Sequence, residues 1–520
     1  MRNTDSRKSF VAKNVSAAIA GQVVNIILSF VSRTVFIYVL GKTYLGVNGL
    51  FSNILTVLSL AELGIGEAIV FKLYKAIADN DIEKIKSYMA FFRKAYMIIG
   101  LTVSVLGLSL IPFLQVFISG GEGIDHLRII YVLYISNTVS TYFLGYKQLI
   151  ITAHQRGYVV TFFRFVFVAV QHGLQILVLL MTKNFILYLS VQIVCNVLLN
   201  LCLFFKAGRM YPYLKEKTEP LSKEDSKEVF KQTSALVAHK VGGVAVSGTD
   251  NILISSFVGI DSVGIYSNYV TLIGIPQTLL AYVFSPMVAS IGNLIHTSSD
   301  EHVRETFNKL LLINFWLYGF CSICLFSLIN PFVGKIWIDD SYVFGYPIVL
   351  FICLNFYLSG MRQVVSQFKA SAGLYWNDRF RPLIEAAVNL GASIVLLKLF
   401  GLIGVIVGTT ISMVTTTFWV EAVIVYKNVL KVNPWKFFLK YAGYLLILFG
   451  VGITNFGICE MISVDGVWMF LLRLCICVAF PNAVFFLCFF KTKEFKELWN
   501  NDIKRVLKKV FKKDGESDHQ

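Results

Sequence analysis

The sequence predicts an all-α polytopic membrane protein with about 14 transmembrane helices. Hydrophobic residues make up 56% of the 520 residues and charged residues only 15%, which is more apolar surface than a water-soluble fold can cover. The apolar residues form runs close to the roughly 20 that a helix needs to cross the hydrocarbon core of a bilayer. Lysine and arginine collect in alternate gaps between these runs, as expected of a chain that crosses the membrane repeatedly.

The apolar runs assign the spans in order along the chain. Short gaps on one side alternate with longer, charged gaps on the other, and none is long enough for a separate water-soluble domain. The predicted spans are 14–40, 46–71, 95–118, 127–146, 158–181, 185–205, 233–258, 263–292, 310–333, 344–365, 382–397, 402–425, 437–457 and 465–490.

The distribution of positive charge predicts the orientation of these spans. The formal net charge is +16, with 47 lysine and arginine residues. Only five of them lie in gaps that we assign to the outer side: Lys42, Arg128, Lys183, Lys335 and Lys398. Because basic residues stay on the cytoplasmic side, both termini are predicted to be cytoplasmic. The basic composition is thus a topology signal, and nucleic acid is not expected as a partner.

An internal repeat divides the first twelve spans into two lobes. The turn between spans one and two contains Gly41 and Gly46, and the turn between spans seven and eight contains Gly259 and Gly264, 218 residues later. A second repeat, 215 residues apart, relates Gly145-Tyr146-Lys147-Gln148 to Gly360-Met361-Arg362-Gln363. Both halves start inside, so we expect two six-helix lobes related by a pseudo-two-fold axis along the membrane normal, plus two C-terminal helices.

The predicted domains follow from this division. They are an N-terminal lobe at 1–205, a charged linker at 206–232, a C-terminal lobe at 233–430, two further helices at 431–490 and a basic tail at 491–520. The tail has apolar residues at helical spacing opposite a lysine-rich face. It is interpreted either as an amphipathic helix on the inner leaflet or as a solvated tail that serves only topology.

Polar stripes in the first two spans of each lobe predict a hydrated central cavity, because such groups are costly to expose to lipid. The stripe of span one is Gln22, Asn25, Ser29, Ser32 and Arg33, and that of span two is Asn48, Ser52, Thr56, Ser59, Glu62 and Gly66. The stripe of span seven is His239, Gly243, Ser247 and Asp250, with Lys240 and Asn251 beside it, and that of span eight is Ser267, Thr271, Gly274 and Gln277.

Arg33 is the main candidate for substrate binding within this cavity. It lies about 10 Å from the outer end of its span at 1.5 Å per residue, and a guanidinium suits a diphosphate. The alternative is a structural ion pair with Asp250. Further candidates for substrate binding are Lys240, Gln22, Asn25, Asn48 and Asn251.

Buried acids are the candidates for ion coupling, since a carboxyl in a helical bundle can change its protonation as access alternates. The candidates are Asp250, Glu62 and Glu67. Glu385 and Glu421 lie near inner span ends, and we expect them to pair with neighbouring cations. No nucleotide-binding or hydrolase motif is found, so no cofactor is expected and ATP hydrolysed on this chain is not the expected source of energy.

Four segments resemble the polysaccharide transporter family, the Wzx-type oligosaccharide flippases of the multidrug/oligosaccharidyl-lipid/polysaccharide exporter superfamily. They are Tyr38–Phe51, Glu62–Gly66, Ala153–Arg156 and Tyr211–Leu214. The resemblance implies a fold like that of multidrug and toxic-compound extrusion (MATE) transporters. It also implies binding of a lipid diphosphate by cavity arginines, a role that fits Arg33.

The same resemblance implies a function, its coupling to a proton or sodium gradient, and its partners. It implies transfer of an undecaprenyl-diphosphate-linked oligosaccharide from the inner to the outer leaflet of a bacterial cytoplasmic membrane, for capsule, exopolysaccharide or O-antigen synthesis. The expected partners are the lipid-linked oligosaccharide, membrane lipids and the polysaccharide polymerase machinery. The first alternative is a cation-coupled multidrug antiporter on the same scaffold. The second, a membrane-embedded enzyme, is disfavoured by the short outer loops.

Overall fold

The structure is a computed structural model that describes residues 4–503, apart from residues 63, 121–123, 217, 285–286 and 375. The described residues form helices and turns without a β-strand. The chain divides into two compact units, Met1–Ser267 and Asn268–Gln520. The predicted all-α class is therefore confirmed.

The first unit is built largely from helices. Its helices are α1 (Thr4–Leu58), α2 (Ile65–Ala78), α3 (Ile82–Ser109), α4 (Leu127–Gly145), α5 (Gln148–Ala153), α6 (Gly157–Thr182), α7 (Phe185–Met210), α8 (Lys223–Phe257) and the start of α9 (Ile260–Phe284). A 3₁₀ turn at Pro212–Lys215 lies between α7 and α8.

The second unit continues with α9 and contains the remaining helices. They are α10 (Met287–Thr297), α11 (Asp300–Pro331), α12 (Tyr346–Ser371), α13 (Arg381–Phe400), α14 (Leu402–Ser412), α15 (Phe418–Asn428), α16 (Trp435–Glu460), α17 (Val467–Phe489) and α18 (Lys493–Glu497). A π-helical segment, Met413–Thr417, joins α14 to α15.

Each of the fourteen predicted spans overlaps at least one helix, and span two differs most clearly from its predicted bounds. Spans one and two run through α1, which breaks at Gly41, where φ is 78°. Span two was predicted as continuous to residue 71, but helix α1 ends at Leu58 and α2 begins only after Gly64, where φ is 85°. Glycine adopts this left-handed conformation without the steric cost of a Cβ atom, so Gly64 allows the chain to turn just before α2 begins.

Ten helices in the described part of the chain are long and apolar enough to cross a membrane. The protein is therefore a multi-pass membrane protein. The division into lobes at 206–232 stays a prediction, because the first compact unit extends past this segment and includes α8.

The start of the basic tail packs on the second unit. The Phe495 ring stacks on Trp316 of α11 with centroids 5.9 Å apart, and Lys493 donates to Glu305 at 2.6 Å. The predicted amphipathic segment beyond residue 503 lies outside the described residues.

Candidate substrate-binding site

The two glycine turns of the repeat pack against each other, backbone to backbone. Gly46 on α1 lies so close to Ile260 of α9 that a Cβ atom would overlap the Ile260 carbonyl oxygen, and Gly264 lies in the same way against the carbonyl of Lys42. Lys42 and Ile260 are repeat equivalents, as are Gly46 and Gly264, so the contact is reciprocal. This reciprocity is what a two-fold relation between the repeats requires.

Polar side chains reinforce this contact. Thr43 Oγ1 donates to Asp261 Oδ1 at 2.7 Å, and Lys42 Nζ lies 3.5 Å from Asp261 Oδ2. Two backbone hydrogen bonds attach the loop before α4 to the second turn. Ser119 N donates to the Ser255 carbonyl at 3.1 Å, and Ile260 N donates to the Ser119 carbonyl at 3.0 Å. We call Lys42, Thr43 and Asp261 the outer latch.

Arg33 lies inside the first unit, below this latch. It precedes the break at Gly41 by eight residues, or about 12 Å of helix, and its side chain is half-buried. Arg33 Nη2 donates to Ser267 Oγ at 2.7 Å, while Ser267 Oγ donates to the Gly264 carbonyl at 2.8 Å. Because that bond occupies the serine hydroxyl proton, the oxygen is oriented to accept from the guanidinium. Arg33 therefore joins the first copy of the repeat to the second.

The three predicted asparagines lie in this unit, and they differ in whether the side-chain oxygen has a hydrogen-bond partner. Asn48 Oδ1 accepts from the hydroxyl of Tyr134 on α4. The buried Oδ1 atoms of Asn25 and Asn251 have no hydrogen-bond partner among the described residues. An unsatisfied buried amide is costly, so both are groups that a polar ligand could satisfy. Gln22 is half-buried.

The stripe of span one does not face a single cavity as predicted. Ser29 Oγ lies 3.2 Å from His172 Nε2 on α6, and Gly21 lies against the Phe165 ring of the same helix. The five positions do share one helix face, but α6 packs against that face, so Ser29 meets a histidine of a neighbouring helix. His172 was missed from the sequence, although three polar residues in one apolar span, Gln171, His172 and Gln175, were a signal.

The candidate coupling acids have different surroundings. Asp250 on α8 is buried, with 8% of its surface exposed, and lies close to Tyr266 of α9. Glu62 accepts from the Tyr96 hydroxyl on α3. Glu67 lies in the first turn of α2 and is exposed. The side chains of Lys240, His239 and Ser247 lie outside the described residues.

A buried ionic network joins α12, α13 and α15 in the second unit. Arg362 Nε lies 2.8 Å from Glu421, and Lys369 Nζ lies 2.7 Å from Glu421 and 2.5 Å from Asp378. Arg381 completes the network, at 2.9 Å from Asp378 and 2.8 Å from Glu385. The expectation that Glu385 and Glu421 pair with cations is therefore confirmed. The network contains three basic and three acidic side chains, so it is neutral overall.

Arg473, to which the sequence assigned no role, stabilises the turn between α16 and α17. Its Nε donates to the Ile462 carbonyl at 2.7 Å, and its Nη1 lies 3.2 Å from Glu460. The arginine lies in the second turn of α17, so its side chain reaches the loop rather than the middle of the bundle.

Comparisons with known proteins agree with this architecture. No curated protein sequence matches the chain. Among solved structures, the chain is similar to the lipid II flippase MurJ in an inward closed conformation, with 14% identity, a TM-score of 0.64 and coverage of 91% of this chain and 100% of that chain. It is also similar to the MATE multidrug transporter DinF-BH, with 16% identity, a TM-score of 0.57 and coverage of 83% and 98%.

A third similar structure is an inward-facing multidrug resistance MATE family transporter of the MOP superfamily, with 14% identity, a TM-score of 0.56 and coverage of 78% of this chain and 98% of that chain. At these identities the likeness shows the fold. The family described as polysaccharide biosynthesis protein matches residues 11–291, more than half of the chain. The chain therefore belongs to the polysaccharide biosynthesis protein family and has the fold of the multidrug/oligosaccharidyl-lipid/polysaccharide exporter superfamily.

Proposed function

We propose that this protein is a flippase that moves an undecaprenyl-diphosphate-linked oligosaccharide from the inner to the outer leaflet of a bacterial cytoplasmic membrane. The product would serve capsule, exopolysaccharide or O-antigen synthesis. The observation that carries the proposal is the bond from Arg33 to Ser267, which places a cation between the two copies of the repeat. Family membership and the transporter fold support it.

In this proposal Arg33 binds the diphosphate of the lipid carrier. A guanidinium presents its donors in a planar fork that matches phosphate oxygens, and the Ser267 hydroxyl holds that fork in place. Asn25 and Asn251, whose buried oxygens lack partners among the described residues, would accept from sugar hydroxyls. Asn48, Gln22 and Lys240 are further proposed contacts.

Transport by alternating access requires the outer latch to open. The closed contact between Thr43 and Asp261 would prevent release on the outer side, which we propose is extracytoplasmic, with both termini in the cytoplasm. Entry of a proton or sodium ion at Asp250, Glu62 or Glu67 would drive the cycle. The polysaccharide polymerase machinery would then receive the product.

Substitution of Arg33 tests the substrate-binding role. R33A is expected to abolish surface polysaccharide while the protein still inserts, and R33K should restore only part of it because a lysine lacks the planar fork. The control is R164A, which removes an exposed arginine of α6 and should leave polysaccharide unchanged. Normal polysaccharide in cells that express R33A would refute the proposal.

A cross-link tests the role of the latch. In the variant T43C/D261C, an oxidant that forms the disulfide should stop polysaccharide export, and a reductant should restore it. Each single cysteine variant is the control. Export that continues at full rate with the cross-link formed would show that the two turns need not separate.

A multidrug antiporter is the second candidate, and the buried carboxyl of Asp250 beside Tyr266 favours it. A buried acid attracts an organic cation and can exchange it for a proton. Under this alternative, D250N would raise the sensitivity of cells to cationic drugs without changing surface polysaccharide. Under the flippase proposal, D250N would lower polysaccharide export and leave drug sensitivity unchanged.

A further inference from the structure

Lys147 lies at the predicted inner end of the first unit, in an unusual setting. It occupies the break between α4 and α5 and is half-buried. Its Nζ lies 3.6 Å above the ring of Phe204 on α7. Gly208, one turn further along α7, has no side chain to fill the space beside that Nζ atom. The ammonium group is thus held against α7 by an aromatic ring, an interaction that leaves its charge in place.

Two further cations act on Lys147. Arg93 of α3 and Lys215 of the 3₁₀ turn both repel it, and Arg93 also acts on the neighbouring Tyr146. Burial and then these two charges lower the pKa of Lys147. Within the described residues, none of the three cations forms an ion pair. The nearby carboxylate of Glu216 is bound to Lys86 at 3.1 Å.

In the second unit, the cation at the equivalent position has an acidic partner. Arg362 is the repeat equivalent of Lys147, and it pairs with Glu421. Glu421 is the twentieth residue counted from the start of α14 at Leu402, and Phe204 is the twentieth counted from the start of α7 at Phe185. By this count a phenyl ring stands where the second copy has a carboxylate, and no acid among the described residues pairs with Lys147.

We propose that Lys147, Arg93 and Lys215 bind the phosphate group of an anionic phospholipid of the inner leaflet, with Phe204 as the apolar floor of the site. Clustered cations at this level attract anionic headgroups, and a phosphate would supply the counter-charge that Glu421 supplies in the second unit. Exposed apolar side chains beside the site, Phe143 and Phe205, offer contact to acyl chains. They favour a lipid over free phosphate. The inference does not depend on the transported substrate.

The test compares the thermal stability of the purified full-length protein in detergent with added phosphatidylglycerol, phosphatidylcholine or inorganic phosphate. Phosphatidylglycerol should raise the unfolding temperature, and the other two should not. K147Q should require about tenfold more phosphatidylglycerol for the same effect, the usual magnitude for loss of one charge-assisted contact. K94Q, which removes an exposed lysine next to Arg93, is the matched control and should behave as the wild type.

A second variant tests the same site by adding the absent carboxylate. F204E should give Lys147 an internal partner, as Arg362 has, so the protein should fold and lose most of its response to phosphatidylglycerol. Three results would overturn the inference. They are an unchanged response in both K147Q and F204E, an equal loss in K94Q, and stabilisation by inorganic phosphate at the same concentrations as the lipid.

Discussion

At the inner ends of the two repeat copies, equivalent positions hold a cation, but the group that the cation contacts differs. In the second copy Arg362 contacts Glu421 within a neutral, buried network. In the first copy Lys147 contacts the ring of Phe204, with Arg93 as a further cation. The second copy is neutralised within its own fold, whereas in the first copy no acid among the described residues pairs with Lys147, and there we propose an external anion. The contact residue that differs between the copies is Phe204 on α7 in the first and Glu421 on α15 in the second.

The outer ends of the copies behave differently, since they make matching contacts. Gly46 meets Ile260 in the same way that Gly264 meets Lys42, and Thr43 meets its own repeat equivalent, Asp261. Backbone contact at a glycine tolerates no added atom, so both copies need the same residue there. The contacts at the inner ends are made by side chains and do not require the same residue in both copies, so they can differ. The comparison thus separates positions that shape the fold from positions that set local chemistry.

The largest expected effect is at Glu421, which neutralises the second copy. E421Q would leave Arg362, Lys369 and Arg381 with one acid fewer in a buried site, at a cost of about 3–5 kcal/mol in the free energy of unfolding. Denaturant unfolding of the purified protein in detergent measures this cost. K147Q is the corresponding change in the first copy and should cost far less, because no acid among the described residues pairs with Lys147. Equal losses in the two variants would contradict the comparison.

The outer glycines should give the next largest effects, and the two should be equal. In G46A the new methyl group overlaps the Ile260 carbonyl, and in G264A it overlaps the Lys42 carbonyl. Overpacking of this kind costs about 1–3 kcal/mol. Each variant should lower the unfolding temperature by the same amount, since the contacts are reciprocal. A large loss in one variant and none in the other would show that the turns are not equivalent.

Much of this architecture follows from local sequence patterns. Apolar runs of bilayer length predict all fourteen spans, because each helix satisfies its own backbone and must present an apolar surface to lipid. The repeated Gly-x4-Gly turns predict that two segments share one structure, and in the structure they contact each other. Pairing of Glu421 with a cation was also predictable, since a buried carboxylate needs a partner.

Other features depend on contacts between distant segments and could not be read from periodicity. A polar stripe does not reveal which neighbouring helix each residue meets, so the bond between Ser29 and His172 was missed. The reach of Arg473 to the Ile462 carbonyl depends on the shape of a loop. The difference between Phe204 and Glu421 becomes meaningful only once both are known to face the repeated cation. The roles of Arg33 and of the coupling acids stay predictions.

The inner glycines should behave differently from the outer pair. A Cβ atom on Gly360 would overlap the ring of buried Tyr318, whereas one on Gly145 would lie 3.1 Å from Asn200 Oδ1, an atom at the end of a side chain that can move slightly. G360A should therefore cost about 1–3 kcal/mol and G145A clearly less, by the same unfolding measurement. Equal costs would mean that the inner ends pack alike, and that the copies differ only in charge.

The smallest expected effect is at His154, whose repeat equivalent is the fully paired Lys369. The His154 ring stacks on Tyr211 with centroids 4.5 Å apart and lies 3.4 Å from the Tyr213 hydroxyl. Burial, and then the charge of Arg156, lowers the pKa of His154 below its usual value.

Because the folded pKa of His154 is lowered, the unfolded chain takes up the proton first as the pH falls. The free energy of unfolding should therefore be highest above pH 7, fall as the pH drops through about 6.5, the usual pKa of histidine, and level off below the folded pKa. H154Q should match the wild type above pH 7 and lose this component of the decline at lower pH. If the two proteins instead show the same pH profile, His154 does not remain neutral in the folded first copy, and the inner ends are more alike in charge than their contacts indicate.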